Sequence, residues 1–228
     1  MSPLHLCCCG SPHLCSDDTL RARVNVLYFH GFASSPASAK ITALRPLLAP
    51  QRIELDTPDL NVPSFEELDF EAMVVRALDA AAQRRPRALV GSSLGAILAL
   101  EVARRGLVLP LVLIAPAVGI ADRWISKLPA GDPIIVFNHA RGADAPIHRA
   151  FFEQMARVDA DRDAPPSRVI VIMGRKDESV PFERVEQTWN RWEPRLVAGS
   201  KLIVIDDGDH GLVASSDVIA DAIVEAAS

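Results

Sequence analysis

The fold of this protein is decided by the stretch Ala88-Leu89-Val90-Gly91-Ser92-Ser93-Leu94-Gly95. A short apolar run enters the pattern Gly-x-Ser-x-Gly, and the residues that follow, Leu94 to Arg105, have the length and apolar character of a buried helix. A strand that turns abruptly into a helix leaves no room for Cβ atoms beside the bend, which accounts for Gly91 and Gly95. The pattern therefore predicts a strand, a sharp turn at Ser93 and a helix.

Similar apolar runs recur on both sides of this stretch and alternate with longer amphipathic segments. Runs rich in Val, Ile and Leu without polar alternation are typical of strands buried on both faces of a parallel sheet. We therefore predict an α/β fold with a doubly wound, mainly parallel sheet of about six strands. The predicted strands are Val24–Phe29, Arg52–Leu55, Ala88–Val90, Leu111–Ile114, Val169–Met173 and Leu202–Ile205. Helix starts are predicted at Ser35-Pro36, at the capping-box pattern Ser64-Phe65-Glu66-Glu67, and at Pro181.

The domain organisation predicted from these patterns is simple. Residues 1–22 form a flexible N-terminal tail that contains cysteines, and residues 23–228 form one domain. The connection 117–166 is too long for a simple crossover. We interpret it as one crossover helix plus a small helical cap over the carboxyl edge of the sheet.

Composition excludes several classes of function. The 228 residues carry a formal net charge of −5 with no long run of one sign, which disfavours nucleic acid as a partner. No apolar stretch reaches the roughly 20 residues needed to span a bilayer. Because no secretory signal is readable either, we expect a cytoplasmic protein. Its oligomeric state is not readable from the sequence.

All four cysteines, Cys7, Cys8, Cys9 and Cys15, precede the predicted domain, so they do not form disulfide crosslinks within its core. Together with His5 and His13 they could form a small metal site. Zinc ligands normally come as spaced pairs, so we favour a tail with reactive thiols and predict no metal and no cofactor.

Three residues at the ends of predicted strands have the chemistry of a catalytic triad. The turn exposes Ser93 at a helix N-terminus, and a serine hydroxyl needs a base to become a nucleophile. His210 follows the last predicted strand and is our candidate for that base. Asp177 follows the preceding strand and is our candidate for the carboxylate that orients it. Its rivals are Glu178 and the acids nearest the histidine in sequence, Asp206, Asp207 and Asp209.

A tetrahedral intermediate also needs two hydrogen-bond donors for its oxyanion. The backbone N–H of Leu94, directly after the nucleophile, is one candidate. The other is the N–H of Phe32 in the loop after the first strand. In this loop Gly31 lets the backbone approach the substrate, and His30 braces the loop by hydrogen bonding.

Four blocks of sequence together resemble the α/β-hydrolase superfamily, and more narrowly its small YqiA-type esterase branch. They are Leu27 to Phe32 with Ser34-Ser35-Pro36 and Ser38-Ala39-Lys40, then Val90 to Gly95, Ala115 to Val118, and Asp207 to His210. The resemblance implies a minimal α/β-hydrolase fold without the two antiparallel strands that begin larger members. Ala96 departs from the branch, which often has a second glycine there, and the residues of the long connection after Ala117 show no clear match.

These observations predict a serine hydrolase that cleaves small carboxylic esters or thioesters through an acyl-enzyme on Ser93. The alternatives are a non-catalytic scaffold that binds a ligand or partner, and an acyltransferase or carbon–carbon hydrolase that uses the same triad. Six apolar side chains of the cap could line an acyl pocket, although we favour packing onto the core. They are Trp124, Ile125, Phe137, Phe151, Phe152 and Met155. Arg141, Arg149 and Arg157 could meet an acidic substrate or simply lie on the surface.

Overall fold

The computed structural model describes residues 23–119, 121–158 and 163–228. The predicted tail, with its four cysteines and with His5 and His13, lies outside the described residues.

The central sheet has six parallel strands, as the apolar runs predict. The strands are β1 (Val24–Phe29), β2 (Ile53–Asp56), β3 (Ala88–Ser92), β4 (Leu111–Ile114), β7 (Val169–Gly174) and β8 (Lys201–Ile205). Their order across the sheet is β2-β1-β3-β4-β7-β8, and every pairing is parallel. Strands β3, β4 and β7 are buried along their whole length, which explains why their sequences carry no polar alternation.

Helices cover both faces of the sheet, so the fold is doubly wound. Their bounds are α1 (Ala39–Leu48), α2 (Phe70–Arg84), α3 (Leu94–Arg104), α6 (Phe182–Trp192) and α7 (Ser216–Ala227). Helix α1 packs against α7, and α2 packs against α3. The chain moves outward from β1 to β2 and then reverses to β3, so right-handed crossovers place these two pairs on opposite faces. The reversal creates a crevice at the carboxyl ends of β1 and β3.

The insertion between β4 and β7 differs from the helical cap that we predicted. It contains helices α4 (Ala121–Lys127) and α5 (Arg149–Arg157), and between them an antiparallel hairpin of β5 (Ile134–Asn138) and β6 (Ala143–Ile147). The strand β5 alternates buried Ile134 with exposed Ile135 and ends on buried Asn138, so it forms a half-exposed hairpin strand. Helix α5 packs on α4 and α2.

Two predicted helix starts are wrong, and local hydrogen bonds explain both. Helix α1 begins after Ser38, because the Ser35 segment forms a turn in which the Ser38 N–H donates to the Ser35 carbonyl at 3.1 Å. The Ser64 hydroxyl accepts the Glu67 N–H at 3.1 Å, but this turn does not continue as a helix. Helix α2 is instead capped by Asp69, whose carboxylate accepts from the Ala72 N–H at 2.7 Å. Helix α6 does begin directly after Pro181.

No helix among the described residues is long and apolar enough to cross a membrane.

Candidate active site

A cleft of about 580 Å³ opens at the crevice between β1 and β3. The loop after β1, the first turn of α1, the end of β3, the cap and the loop after β8 all contribute to its lining, and both Ser93 and His210 face it. A second cleft of about 530 Å³ lies beside α2, α3 and α5 and includes the ion-paired side chains Arg105, Glu71 and Glu101. Because that cleft contains none of the predicted triad residues, the first cleft is the candidate active site.

The turn at Ser93 has the sharp geometry that the sequence predicts. Ser93 has φ 54° and ψ −116°, a left-handed backbone conformation that L-residues rarely adopt, and it directly precedes α3. A Cβ on Gly91 would collide with the backbone of Gly95, and a Cβ on Gly95 would collide with the carbonyl of Phe29. The two glycines therefore allow β1, β3 and α3 to meet at the turn.

His210 and Asp177 lie next to each other at the carboxyl ends of β8 and β7. The His210 Nδ1 is 2.7 Å from the Asp177 Oδ2, and the Asp177 side chain is completely buried. The other oxygen of Asp177 accepts the backbone N–H groups of Ser179 and Val180 at 2.9 and 2.8 Å. These bonds hold the carboxylate in a single orientation, so His210 is left to present Nε2 to the cleft.

The loops after β7 and β8 are tied together by close backbone packing. A Cβ on Gly174 would collide with the carbonyl of Gly208, whose oxygen accepts the Lys176 N–H at 2.9 Å. Three of the rival acids have other partners: Asp206 pairs with Arg175, Asp207 pairs with Lys176, and Asp209 accepts the Leu212 N–H at 2.7 Å. The fourth rival, Glu178, is exposed. Asp177 is therefore the carboxylate that meets His210.

Ser93 and His210 line the same cleft without being hydrogen-bonded to each other. Within the part of the chain that the structure describes, the Ser93 hydroxyl has no hydrogen-bond partner. Ser93 is 9% exposed, whereas a third of the His210 side chain is exposed. In enzymes without substrate, the bond between nucleophile and base is often long and tightens only in the complex.

The loop after β1 is held as predicted, with His30 at its centre. The buried His30 ring donates from Nδ1 to the Gly31 carbonyl at 2.9 Å and accepts the Leu60 N–H at Nε2, at 3.1 Å. Burial lowers the pKa of His30, which favours the neutral ring that this pair of bonds requires. A Cβ on Gly31 would lie 3.3 Å from the Ser92 carbonyl, so this loop closely approaches the turn.

The backbone N–H groups of Phe32 and Leu94 have no hydrogen-bond partner among the described residues. Leu94 is the first residue of α3, where an N–H has no acceptor within the helix. The Phe32 ring packs on Phe151 and Phe152 of the cap, with centroids 5.9 and 5.6 Å away. These contacts fix the loop that carries the Phe32 N–H.

The apolar side chains of the cap divide between the cleft and the core. Trp124, Phe137 and Phe152 line the cleft, whereas Ile125, Phe151 and Met155 pack against the core. None of Arg141, Arg149 and Arg157 lines the cleft in the described part of the chain. Arg149 donates to the Pro129 carbonyl at 2.6 Å, and Arg157 donates to the Glu153 carbonyl at 3.1 Å.

A buried polar network beside Ser93 was missed by the sequence reasoning. The Lys40 ammonium donates to the Ser92 hydroxyl at 2.8 Å, and Ser92 is also hydrogen-bonded to the buried Tyr28 hydroxyl. Burial lowers the pKa of Lys40 to about 8 and raises that of Tyr28. The sequence signal that could have indicated this network is the position of Lys40 in the first turn of a helix. Helical side chains tilt toward the N-terminus of their helix, which here lies at the cleft.

Comparison with known proteins places this architecture in a family. A sequence profile of the uncharacterised protein family UPF0227 matches residues 25–225. The chain belongs to this YqiA-like family. No curated protein matches the chain by sequence.

Solved structures establish the α/β-hydrolase fold of this UPF0227 member. A presumed hydrolase from Agrobacterium vitis S4 is similar, with a TM-score of 0.76 and 20% identity over 90% of this chain and 88% of that one. Mouse alpha/beta hydrolase domain-containing protein 10 has a TM-score of 0.70 and 22% identity over 88% of each chain. Est1E from Butyrivibrio proteoclasticus, solved with ferulic acid, has a TM-score of 0.70 and 16% identity over 92% and 90% of the two chains.

Proposed function

We propose that the protein is a serine hydrolase that cleaves small carboxylic esters or thioesters through an acyl-enzyme on Ser93. The observation that carries the proposal is the bond of 2.7 Å between His210 and the buried Asp177, because His210 shares its cleft with a serine at a strained turn before a helix. A histidine oriented by a buried carboxylate is the group that a serine nucleophile requires.

The first half-reaction follows from the atoms at the cleft. Because Nδ1 of His210 donates to Asp177, the neutral ring carries its lone pair on Nε2, which accepts the proton of Ser93 as its Oγ attacks the acyl carbon. The oxyanion that forms would bind the free N–H groups of Phe32 and Leu94. The imidazolium then returns its proton to the departing alcohol or thiol, leaving an ester on Ser93.

The second half-reaction uses the same groups with water as the nucleophile. Nε2 of His210 takes a proton from water, the hydroxyl adds to the acyl carbon, and collapse of the intermediate releases the carboxylic acid. The proton returns to the Ser93 Oγ. Such chemistry requires neither a metal nor an organic cofactor.

The comparisons support hydrolysis as the reaction class. The similar structures include hydrolases, esterases and a thioesterase domain from the curacin biosynthetic pathway, which has a TM-score of 0.55. Ferulic acid on Est1E is a small carboxylic acid, and a cleft of about 580 Å³ suits a substrate of that size.

Covalent labelling tests the proposal directly. Treatment with a fluorophosphonate should add one label to the intact mass, and peptide mapping should locate it on Ser93 rather than on the adjacent Ser92. The label and the hydrolysis of a chromogenic butyrate ester should both disappear in Ser93→Ala. The control Ser126→Ala, in the cap and outside the cleft, should keep both. A folded wild-type protein that takes no label and turns over no ester would contradict the proposal and favour a non-catalytic scaffold.

A further inference from the structure

We propose that the substrate carries a carboxylate or phosphate group close to the scissile carbonyl, and that Lys40 binds this group. The inference rests on the proposed function, because it names the chemical class of ester that the Ser93 cleft takes.

Lys40 is a buried cation at the wall of the cleft. Its residue surface is 9% exposed, its side chain faces the cleft, and its ammonium has the Ser92 hydroxyl as its hydrogen-bond partner at 2.8 Å. No carboxylate among the described residues lies within ion-pair distance of it, and the charges of Asp177 and Asp209 act on it only from farther away. An ammonium has three donors, so Lys40 keeps hydrogen-bonding capacity for a ligand.

The described side chains that line the cleft include cationic groups but no carboxylate. The lining includes two lysines, Lys40 and Lys127, and three histidines, but no aspartate or glutamate among the described residues. The whole protein carries a formal net charge of −5, so the cationic lining of the cleft contrasts with the excess of acidic residues in the chain as a whole. A cavity lined by one sign of charge favours ligands of the opposite sign.

One wall of the cleft is polar, and the cap that faces it is mainly apolar. The wall formed by the loop before α1, the start of α1 and the end of β3 presents Ser34, Ser38, Lys40 and Ser92. The cap presents mainly apolar side chains, together with Lys127 and His139; the apolar ones are Trp124, Leu128, Val136, Phe137 and Phe152. A substrate that fits both walls has an apolar portion against the cap and an anionic group against α1.

The position of Lys40 sets where the anion must lie. Its ammonium binds the side chain of Ser92, the residue directly before the nucleophile, so an anion on Lys40 lies near the reacting carbonyl. Removing an ammonium from water is costly unless a partner compensates for it, and here burial already lowers the pKa of Lys40 to about 8. A bound carboxylate or phosphate supplies the missing opposite charge.

Three matched esters test the inference. Ethyl butyrate is the neutral reference. Monoethyl succinate replaces the terminal methyl of its acyl chain by a carboxylate, and O-butyrylglycolate does the same on the alcohol side. The release of acid from each ester is followed in a pH-stat. For each variant, kcat/KM for an anionic ester is divided by kcat/KM for ethyl butyrate. Comparing these ratios between variants cancels the intrinsic reactivity of the esters.

The variant Lys40→Gln keeps a donor for Ser92 but removes the charge. We expect it to lower the ratio for one or both anionic esters by about tenfold or more, the order of a lost charge-assisted hydrogen bond. The arm that responds identifies the side of the ester that carries the anion. The control Lys201→Gln removes the same charge from an exposed site that pairs with Glu225, and its ratios should match those of the wild type.

A binding measurement keeps the inference testable without turnover. Calorimetry on the wild type should give a Kd about tenfold lower for N-ethylsuccinamate, or for N-butyrylglycine as the mimic of the alcohol-side anion, than for N-ethylbutyramide. Equal Kd values for all three amides would overturn the assignment. So would kcat/KM ratios that are unchanged in Lys40→Gln, or kcat/KM ratios that fall only in Lys127→Gln. If the wild type hydrolyses none of the esters, or Ser93→Ala hydrolyses them equally well, the proposed function fails. The amide Kd values, compared between the wild type and Lys40→Gln, then still report on Lys40.

Discussion

The Nδ1 atom of His210 lies 2.7 Å from Oδ2 of Asp177, although 33 positions separate the two residues in the chain. The second carboxylate oxygen is held by two backbone N–H groups, so the acid cannot turn away from the ring. The pair therefore holds one tautomer of the imidazole with Nε2 toward the cleft.

Asp177→Asn should lower kcat for ester hydrolysis by about 10³- to 10⁴-fold with little change in fold, because the amide stabilises the wrong tautomer and cannot balance an imidazolium. The measurement is kcat on a chromogenic butyrate ester, with circular dichroism to verify folding. Asp207→Asn, which removes only the exposed partner of Lys176, is the matched control and should retain wild-type kcat. Equal activities of the two variants would remove Asp177 from the mechanism.

Ser93→Gly should be more stable than Ser93→Ala by about 1 kcal/mol in free energy of unfolding, because glycine adopts positive φ without a Cβ penalty. The wild-type φ of 54° is the basis of this expectation. Denaturant titration of the two inactive variants provides the comparison. A glycine variant that is less stable than the alanine variant would show that the turn stores no strain.

Gly95→Ala should lower the free energy of unfolding by about 3 kcal/mol or prevent folding, since the added methyl has no space beside the carbonyl of Phe29 and the surrounding core is close-packed. Gly142→Ala is the matched control. Gly142 has φ 64° with nothing near its Cβ position, so only the backbone penalty of about 1 kcal/mol applies. Urea unfolding of both variants measures the difference, and similar losses would contradict the predicted collision.

Stability should depend on pH through Lys40, whose pKa burial lowers from 10.5 to about 8. Between these two values the unfolded chain binds a proton that the folded protein does not, so the free energy of unfolding rises with pH across that window. The separation of about 2.5 pH units corresponds to at most about 3 kcal/mol. Below pH 8 both states are protonated, and the folded protein carries the full penalty of the buried charge.

Lys40→Met removes this penalty. The stability of the variant relative to the wild type should therefore be more favourable at pH 7 than at pH 10.5, as measured by denaturant unfolding at both pH values. Lys201→Met serves to subtract the general effect of losing a lysine. If the difference in free energy of unfolding between Lys40→Met and the wild type is the same at both pH values, the Lys40 ammonium is hydrated in solution.

Much of the sheet was predictable because buried parallel strands leave a strong local pattern. The runs Val24–Phe29 and Leu111–Ile114 were predicted to the residue. The starts of α1 and α2 were not, since Ser35 and Ser64 make the same local hydrogen bonds in isolated turns as they would in caps. The hairpin in the cap was missed because short apolar runs do not distinguish a strand from a helix.

By itself, the sequence determined the turn at Ser93, because only glycine fits where β1, β3 and α3 converge, and it indicated which strand ends could carry His210 and Asp177. Those are local requirements, readable from neighbouring residues. Only the tertiary structure decided which of several acids meets His210, and only it brought Lys40, Ser92 and Tyr28 into one buried network. Such contacts join residues far apart in the chain, so their partners and burial depend on how the helices and loops pack around the sheet.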